Sequence, residues 1–321
     1  MSVISDARFH DEQAAYDWVE AQLWSDGPIC PHCGSVERIS KMGGMSTRIG
    51  TYKCYACRKP FTVKIGTIFE KSHVHMHIWL QAFHLLASSK KGFSANQLHR
   101  ILKVSLQTAW FIGHRVREAM RSGSLAPPLG GPGGSGVVEA DETFIGRKKG
   151  EPKRRGGGAH KNAVLALVER KGRVRTVHID DVKAATILPI VNENISKEAR
   201  VITDDAATYY HKLGEFAGHA TVAHAAGEYV RGDVHTNSVE GYFSIFKRGM
   251  KGVYQHCDER HLHRYLSEFD FRYNNRVRLG VNDEQRAVCA IKGAKGKRLT
   301  YRTASRKMRD DKAAPPPPQS S

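Results

Sequence analysis

Val137-Val138-Glu139-Ala140-Asp141-Glu142-Thr143-Phe144-Ile145 is the stretch on which the reading of this chain turns. Apolar and polar residues alternate along it, and β-branched side chains recur, so it reads as a strand. Asp141 interrupts that strand. A carboxylate among apolar neighbours is costly unless it is paired or binds a metal.

The same texture continues downstream. Asn162–Glu169 and Val174–Ile179 read as further strands, and Ala184–Ile195 as an amphipathic helix. Ala199–Thr203 is a buried strand running into Asp204 and Asp205. Ala206–Phe216 reads as a helix and Thr221–His224 as a strand. Thr236–Gly249 and His261–Asn274 are helices. Three strands, then helix, strand, helix, strand, helix is the order expected of a ribonuclease-H-like α/β domain, here spanning 137–282.

Asp141 and Asp204 both stand at strand ends. Oxygen ligands of this kind suit magnesium. Two such ions, roughly 3.5–4 Å apart, can activate an attacking hydroxyl and stabilise a leaving oxygen at phosphorus. For either aspartate alone, a strand-end cap or a salt bridge is the plainer reading. The helix at 236–249 shifts the balance. Val239, Tyr242, Phe243 and Phe246 form one stripe; Asn237, Glu240, Ser244 and Lys247 form another. Glu240 could join a metal site while Lys247, two turns on, meets a phosphate; an exposed Glu/Lys stripe is the ordinary alternative. The Gly-rich basic loop 146–158 lacks a P-loop pattern and is expected to touch DNA electrostatically.

Upstream, Ser122–Gly136 is rich in Gly, Pro and Ser and reads as a linker. Residues 71–121 look helical. Ser94 is placed to cap a short helix, Lys103-Val104-Ser105 makes a turn, and Leu106–Met120 makes a longer helix carrying Gln107, Thr108, His114, Arg115 and Arg117. This is a helix-turn-helix layout, whose second helix enters the major groove; three-helix packing without DNA is the alternative. His73, His75, His77 and His84 lie nearby. Their spacing by two does not suit a helical metal site, and they are expected to be partly solvated and not to act as ligands. Further upstream, within 1–70, Cys30-Pro-His-Cys33 and Cys54-Tyr-Ala-Cys57 form two CxxC pairs, which read as a tetrahedral structural zinc site. Cys257 and Cys289 are expected to be ordinary thiols.

The chain of 321 residues has 50 Lys+Arg against 32 Asp+Glu, a formal charge of +18. That excess favours a polyanionic partner, nucleic acid before membrane. Arg248, Arg272 and Arg276 keep the last two helices basic. No apolar run suits a membrane span and no signal-peptide pattern opens the chain, so a cytoplasmic protein is expected. Residues 283–321, basic and then Pro-rich, are expected to be a disordered tail.

Together these blocks resemble a bacterial insertion-sequence transposase family. Cys-Pro-His-Cys-Gly and Tyr52-Lys-Cys-Tyr-Ala-Cys-Arg-Lys-Pro-Phe-Thr-Val resemble its zinc ribbon. Val138-Glu-Ala-Asp-Glu-Thr-Phe-Ile-Gly resembles its first catalytic strand. Thr203-Asp204 with Tyr209 resembles its second block, and His235-Thr-Asn-Ser-Val-Glu-Gly-Tyr-Phe-Ser-Ile-Phe-Lys247 its third. The resemblance implies a DDE-type transposase that binds the double-stranded terminal inverted repeats of its element. It would cut the ends and join the freed 3′-hydroxyls to target DNA, using magnesium or manganese. Asp141 and Asp204 would be metal ligands, Asp204 preferred over Asp205 for its distance to Tyr209. Glu240 is favoured as the third ligand, with Asn237 as its rival. A homodimer or larger synaptic complex is expected, in a bacterial cytoplasm and on the nucleoid when bound to DNA. Two other readings share these residues: a zinc-ribbon regulator with an inactive catalytic domain, and a ribonuclease-H-like nuclease that cuts without joining.

Overall fold

The computed structural model describes residues 2–123, 126–152, 155, 157–204, 212–223, 226–228 and 230–300. Helix α1 (Glu12–Leu23) begins where the Asp11 carboxylate accepts the Ala14 N–H. Its buried face, Ala15, Tyr16, Val19 and Leu23, packs into a helical core. The ribbon follows as three short antiparallel strands, β1 (Ile39–Lys41), β2 (Tyr52–Cys54) and β3 (Pro60–Phe61). Trp24, at the end of α1, sets its ring edge-on to Tyr52 and near Phe61, at 5.3 and 5.9 Å between centroids. The first helix is thereby part of the ribbon's own packing.

Three helices come next: α2 (Met76–Ser88), α3 (Ala95–Leu102) and α4 (Leu106–Met120). Ser94 and Gln97 form the reciprocal capping box that starts α3, and Lys103 turns the chain with a left-handed backbone (φ 55°). The Ser105 hydroxyl accepts the Thr108 N–H at the start of α4. Helix, tight turn, longer helix is the layout expected for this region.

The C-terminal half is built on a five-stranded sheet of β4 (Val137–Ile145), β5 (Asn162–Glu169), β6 (Val174–Ile179), β7 (Arg200–Asp204) and β8 (Gly218–Val222). Its order is β6-β5-β4-β7-β8, with β4–β5 and β5–β6 antiparallel and β4–β7 and β7–β8 parallel. This is the ribonuclease-H-like arrangement, with β4 at the centre. Helix α5 (Ala184–Asn194) covers one face through Ile187 and Val191. Helices α6 (Asn237–Gly249) and α7 (Leu262–Asn274) cover the other, where Val239, Tyr242, Phe246, Leu266 and Phe269 meet Val164, Ala166 and Val168 of β5. β5 is buried along its whole length, which is why its sequence shows no alternation.

Four expectations need correction or bounding. Residues 283–300 are not a disordered tail: Asn282 and Gln285 form a capping box for helix α8 (Asp283–Lys292). Ala287, Ala290 and Ile291, spaced for one helical face, enter the core beside α2. Residues 301–321 lie outside the described residues. The linker reading fails for 126–136. Leu129 is buried, its N–H donates to Asn194 O, and Arg175 holds the carbonyls of Ala126 and Pro127. Gly130 has φ 72°, and a Cβ there would stand 2.6 Å from that of Ala199, so the turn needs glycine. Of the helix expected at 206–216, residues 206–211 lie outside the described residues, and 213–216 form turns. The last strand starts at Gly218, earlier than expected, and His224 lies outside the described residues.

The helical half and the sheet half are bolted together by a buried charge cluster. Glu268 of α7 is fully buried and accepts Arg117 Nε of α4 at 2.6 Å, the Arg272 guanidinium, and the Tyr254 hydroxyl at 2.6 Å. Glu268→Ala would strand two buried guanidinium groups. It should cost about 3–5 kcal/mol in denaturant unfolding, whereas Arg260→Ala, which breaks an exposed pair with Asp258, should leave the unfolding midpoint nearly unchanged.

Candidate active site

The parallel register of β4 and β7 pairs Val137 with Arg200 and ends at Ala140 with Thr203. One step further along come Asp141 and Asp204: Asp204 is the last residue of β7, but Asp141 lies mid-strand opposite Ala166 of β5, not at a strand end as its sequence suggested. Strand alternation puts Glu139 and Asp141 on the same face. It is the face covered by α6 and α7, since Ile145 of that set packs there while Val138 and Ala140 pack towards α5.

Glu139 fixes what lies opposite. It is fully buried. One carboxylate oxygen accepts the backbone N–H groups of Ser238 and Val239, at 2.7 and 3.0 Å. The other accepts the Ser238 hydroxyl at 3.0 Å and Arg170 Nε at 2.7 Å. The Arg170 guanidinium also reaches the carbonyls of Asp233 and His235. A strand carboxylate thus caps α6 from outside, satisfying donors that its own N-cap, Thr236, leaves to others. Asn237 opens the helix, exposed, and does not cap it. Glu240, in the same turn and exposed, accepts the Thr236 hydroxyl at 2.8 Å. Lys247 extends over the Phe243 ring, its Nζ 5.7 Å from the centroid.

These placements converge electrostatically on Asp141. Burial, offset in part by the Glu142 N–H it accepts, and the negative charges of Asp204 and Glu240 push its carboxyl up to about 6; Lys247 pulls the other way. A buried carboxylate pushed up by burial and by two neighbouring negative charges is one that a divalent cation would relieve, so the donors fit an oxygen-ligated ion. Their oxygens do not gather within 4.8 Å of one another as the cysteine sulfurs do. Asp205 and Tyr209 lie outside the described residues.

The ribbon cysteines do come together. Cys30 and Cys57 sulfurs are 3.7 Å apart, as are those of Cys33 and Cys54, and all lie within 4.8 Å. Zinc–sulfur bonds of about 2.3 Å in a tetrahedron require sulfur–sulfur edges of about 3.8 Å. The residues fit zinc, with all positions filled by thiolate.

The expected DNA-contacting residues divide sharply. Gln107 is exposed and Thr108 half-exposed, both in the first turn of α4, and Arg248 is exposed on α6. Arg276 is half-buried, stacks 3.9 Å over Tyr273, and donates to the carbonyls of Gly172 and Tyr273. His114, Arg115, Arg117 and Arg272 are interior. Arg115 donates to the carbonyls of Ile68 and Glu70, and Arg117 and Arg272 are taken by Glu268. Burial and the neighbouring arginines press His114 down to about 2, so it is neutral. His114, against Tyr265, and Arg117 and Arg272, on Glu268, lie at the joint with the catalytic half, while Arg115 ties α4 to the segment before α2; none of the four faces outward. A basic helix alone could not reveal this, because Glu268 lies 151 residues from Arg117. Glu139 was also missed; its signal is a second acidic residue two places before Asp141 on the same strand face.

Residues 134–274 match the ISXO2-like transposase domain and residues 10–60 the transposase zinc-ribbon domain. The chain belongs to this zinc-ribbon insertion-sequence transposase family. Over 283 residues the chain is 28% identical to a protein in transposable element ISH50 of Halobacterium salinarum, covering 82% of this chain and 91% of that one. It is 27% identical over 106 residues to a transposase-like protein of Haemophilus influenzae, covering 33% of this chain and 84% of that one. Among solved structures, the Mos1 strand transfer complex overlaps 67% of this chain and 78% of its own, at 15% identity and a TM-score of 0.28. The Mos1 paired-end complex with left transposon end overlaps 67% and 79%, at 16% and 0.28. At those scores the overlap adds nothing to the fold described above. Among the described residues no helix is long and apolar enough to cross a membrane.

Because the folded state raises the Asp141 pKa from 3.8 to about 6, it binds the proton more tightly than the unfolded chain does. Asp141 therefore costs no stability below pH 4, and its penalty grows as pH rises through 4–6. Asp141→Asn should raise the melting temperature at pH 7.5 and leave it nearly unchanged at pH 4. Magnesium should stabilise the unaltered protein at pH 7.5 and not the variant. Thermal melts at the two pH values read both effects.

Proposed function

We propose that this transposase binds the terminal inverted repeats of its element, cleaves at their ends, and joins the freed 3′-hydroxyls to target DNA. The observation that carries this reading is the convergence of the Asp204, Glu240 and Lys247 charges on Asp141 within a transposase domain. Asp141, Asp204 and Glu240 hold the catalytic metals, and their open spacing suits two ions better than one. Bound there, divalent ions supply Lewis-acid activation of the attacking oxygen and stabilisation of the leaving 3′-oxygen. Glu240 is preferred to Asn237 because its charge acts on Asp141 and because its bond to Thr236 fixes the side chain. Lys247, on the same face of α6, binds a non-bridging phosphate oxygen near the scissile bond. Glu139 keeps that face aimed at Asp141.

DNA reaches this site from the outer surface of α4 and α6. Gln107 and Thr108, at the exposed N-terminal turn of α4, are placed as major-groove readers usually are. Arg248 tracks the backbone. The structural zinc holds the ribbon that, with α1, grips the end DNA. The two ends that strand transfer must join call for a dimer or larger assembly.

In a strand-transfer assay with the element's own end DNA and magnesium, Asp141→Asn should lose cleavage and joining to the assay floor while retaining end binding within about twofold. Simultaneous loss of binding would mean that Asp141 supports the fold and not the reaction. The regulator reading predicts binding by the unaltered protein without metal-dependent joining, and the nuclease reading predicts cleavage alone. Arg248→Ala should weaken binding to all sequences alike and reduce the log–log salt slope by about 1. Gln107→Ala should instead cost about 1–3 kcal/mol on the end sequence and little on random DNA.

A further inference from the structure

Three side chains outside the ribbon and the active site are brought together by the fold. Glu12 is the first residue of α1, His75 is the N-cap of α2, and His77 lies in its first turn. Glu12 Oε1 accepts the Met76 N–H at 2.8 Å, and Oε2 accepts the His77 N–H at 3.2 Å. His77 Nδ1 lies 2.8 Å from Oε2, and His75 Nδ1 lies 3.7 Å from Oε1. The two imidazoles lie nearly parallel, 5.4 Å apart with 21° between their planes. One ligand atom from each residue falls within a single 4.8 Å sphere of mutual distances, the same closeness that gathers the ribbon thiols.

Capping explains the two backbone contacts of Glu12. It does not explain two imidazole nitrogens turned to the same carboxylate, which a cap does not need. Two imidazoles and one carboxylate make an N₂O donor set. Three such protein ligands with one place left for water are a recurrent zinc environment, and the set is too nitrogen-rich for magnesium. Glu12 and His77 side chains are 20% and 22% exposed and so held in place, while His75 is 71% exposed and leaves a path from solvent.

We propose that Glu12, His75 and His77 form a second zinc-binding site, distinct from the four-cysteine ribbon and from the carboxylate cluster of the catalytic domain. Its place gives it a structural role. Glu12 precedes the ribbon in the chain and the histidines follow it, so an ion there clips the two stems from which the ribbon projects. Metal cross-links that close long loops restrict the unfolded chain most. Binding displaces the proton by which His77 Nδ1 now bonds Glu12. The site is independent of the proposed strand-transfer reaction, and its test does not rely on activity.

The test compares full-length protein with His75→Ala, a change at an exposed side chain whose helix-capping backbone remains. Both are saturated with zinc in excess magnesium, which occupies the oxygen-ligand cluster, then desalted and assayed for zinc by plasma mass spectrometry. His75→Ala should hold one zinc fewer per chain. In cobalt titrations of protein first stripped of metal, both proteins should show the intense thiolate charge-transfer bands of the ribbon. Only the unaltered protein should then add a weak visible band without further charge transfer. Equal zinc contents, or the same second cobalt band in both proteins, would overturn the proposal.

Discussion

The carboxylate of Glu139 sits in the central strand of a sheet, fully buried, and points at the first turn of a helix ninety-nine residues later in the chain. A charge in that position would be costly by itself. It is tolerated because two backbone N–H groups, a hydroxyl and Arg170 take up its lone pairs, and because the positive end of the α6 dipole faces it. The same contact sets the separation and rotation of α6 relative to β4. Helix geometry then carries Glu240 and Lys247 to where their charges act on Asp141. A hydrophobic contact could press α6 on β5 equally well, as Val239 and Phe246 do. It would not fix the helix along its axis, since apolar surfaces slide with little penalty, whereas paired hydrogen bonds do not.

A second constraint works through Glu268. Here a buried carboxylate is shared by arginines from α4 and α7, so the helical half and the catalytic half are joined by ion pairs on top of their apolar contact. Such clusters add little net stability compared with an apolar replacement, but they are unforgiving of misalignment. The consequence for function is subtractive. Basic residues recruited into this joint are buried and unavailable to a polyanionic partner, and what remains exposed on α4 is its N-terminal turn. α8 strengthens the same joint from the other side. It returns from the end of the catalytic half to the N-terminal helical core, and Arg286 donates to the Ala87 carbonyl. The helices and the sheet therefore present one orientation to a ligand.

Local pattern was enough for much of this. The alternation around Asp141, the continuous apolar run of β5 and the two stripes of α6 each encode an element and its buried face within a few residues. The CxxC pairs likewise specify their metal through spacing alone. What stayed hidden depends on partners far apart in the chain. Nothing near Arg117 announces Glu268, so a buried arginine reads like a DNA contact. Nothing near Glu139 announces Ser238. Glu12 lies more than sixty residues from His75 and His77, and without its carboxylate the histidines show only a spacing unsuited to one helix face. α8 is a different case. Ala287, Ala290 and Ile291 carry a helical period, but the basic and Pro-rich composition around them masked it.

The metals expected in this protein are kept apart by ligand chemistry as well as by distance. Four thiolates in the ribbon are soft donors that favour zinc and leave it no open position. The carboxylates about Asp141 are hard donors, and burial together with the charges of Asp204 and Glu240 raises the Asp141 carboxyl to about 6, a cost that a cation would relieve. Zinc's preference for four ligands works against the six-coordinate, water-rich shell that magnesium brings to a phosphate. The fold places thiols on a small three-stranded ribbon outside the main sheet and carboxylates on the adjacent strands β4 and β7, beside which α6 adds a third. Structural and catalytic ions can then coexist in one chain because neither site offers the donors that the other ion prefers.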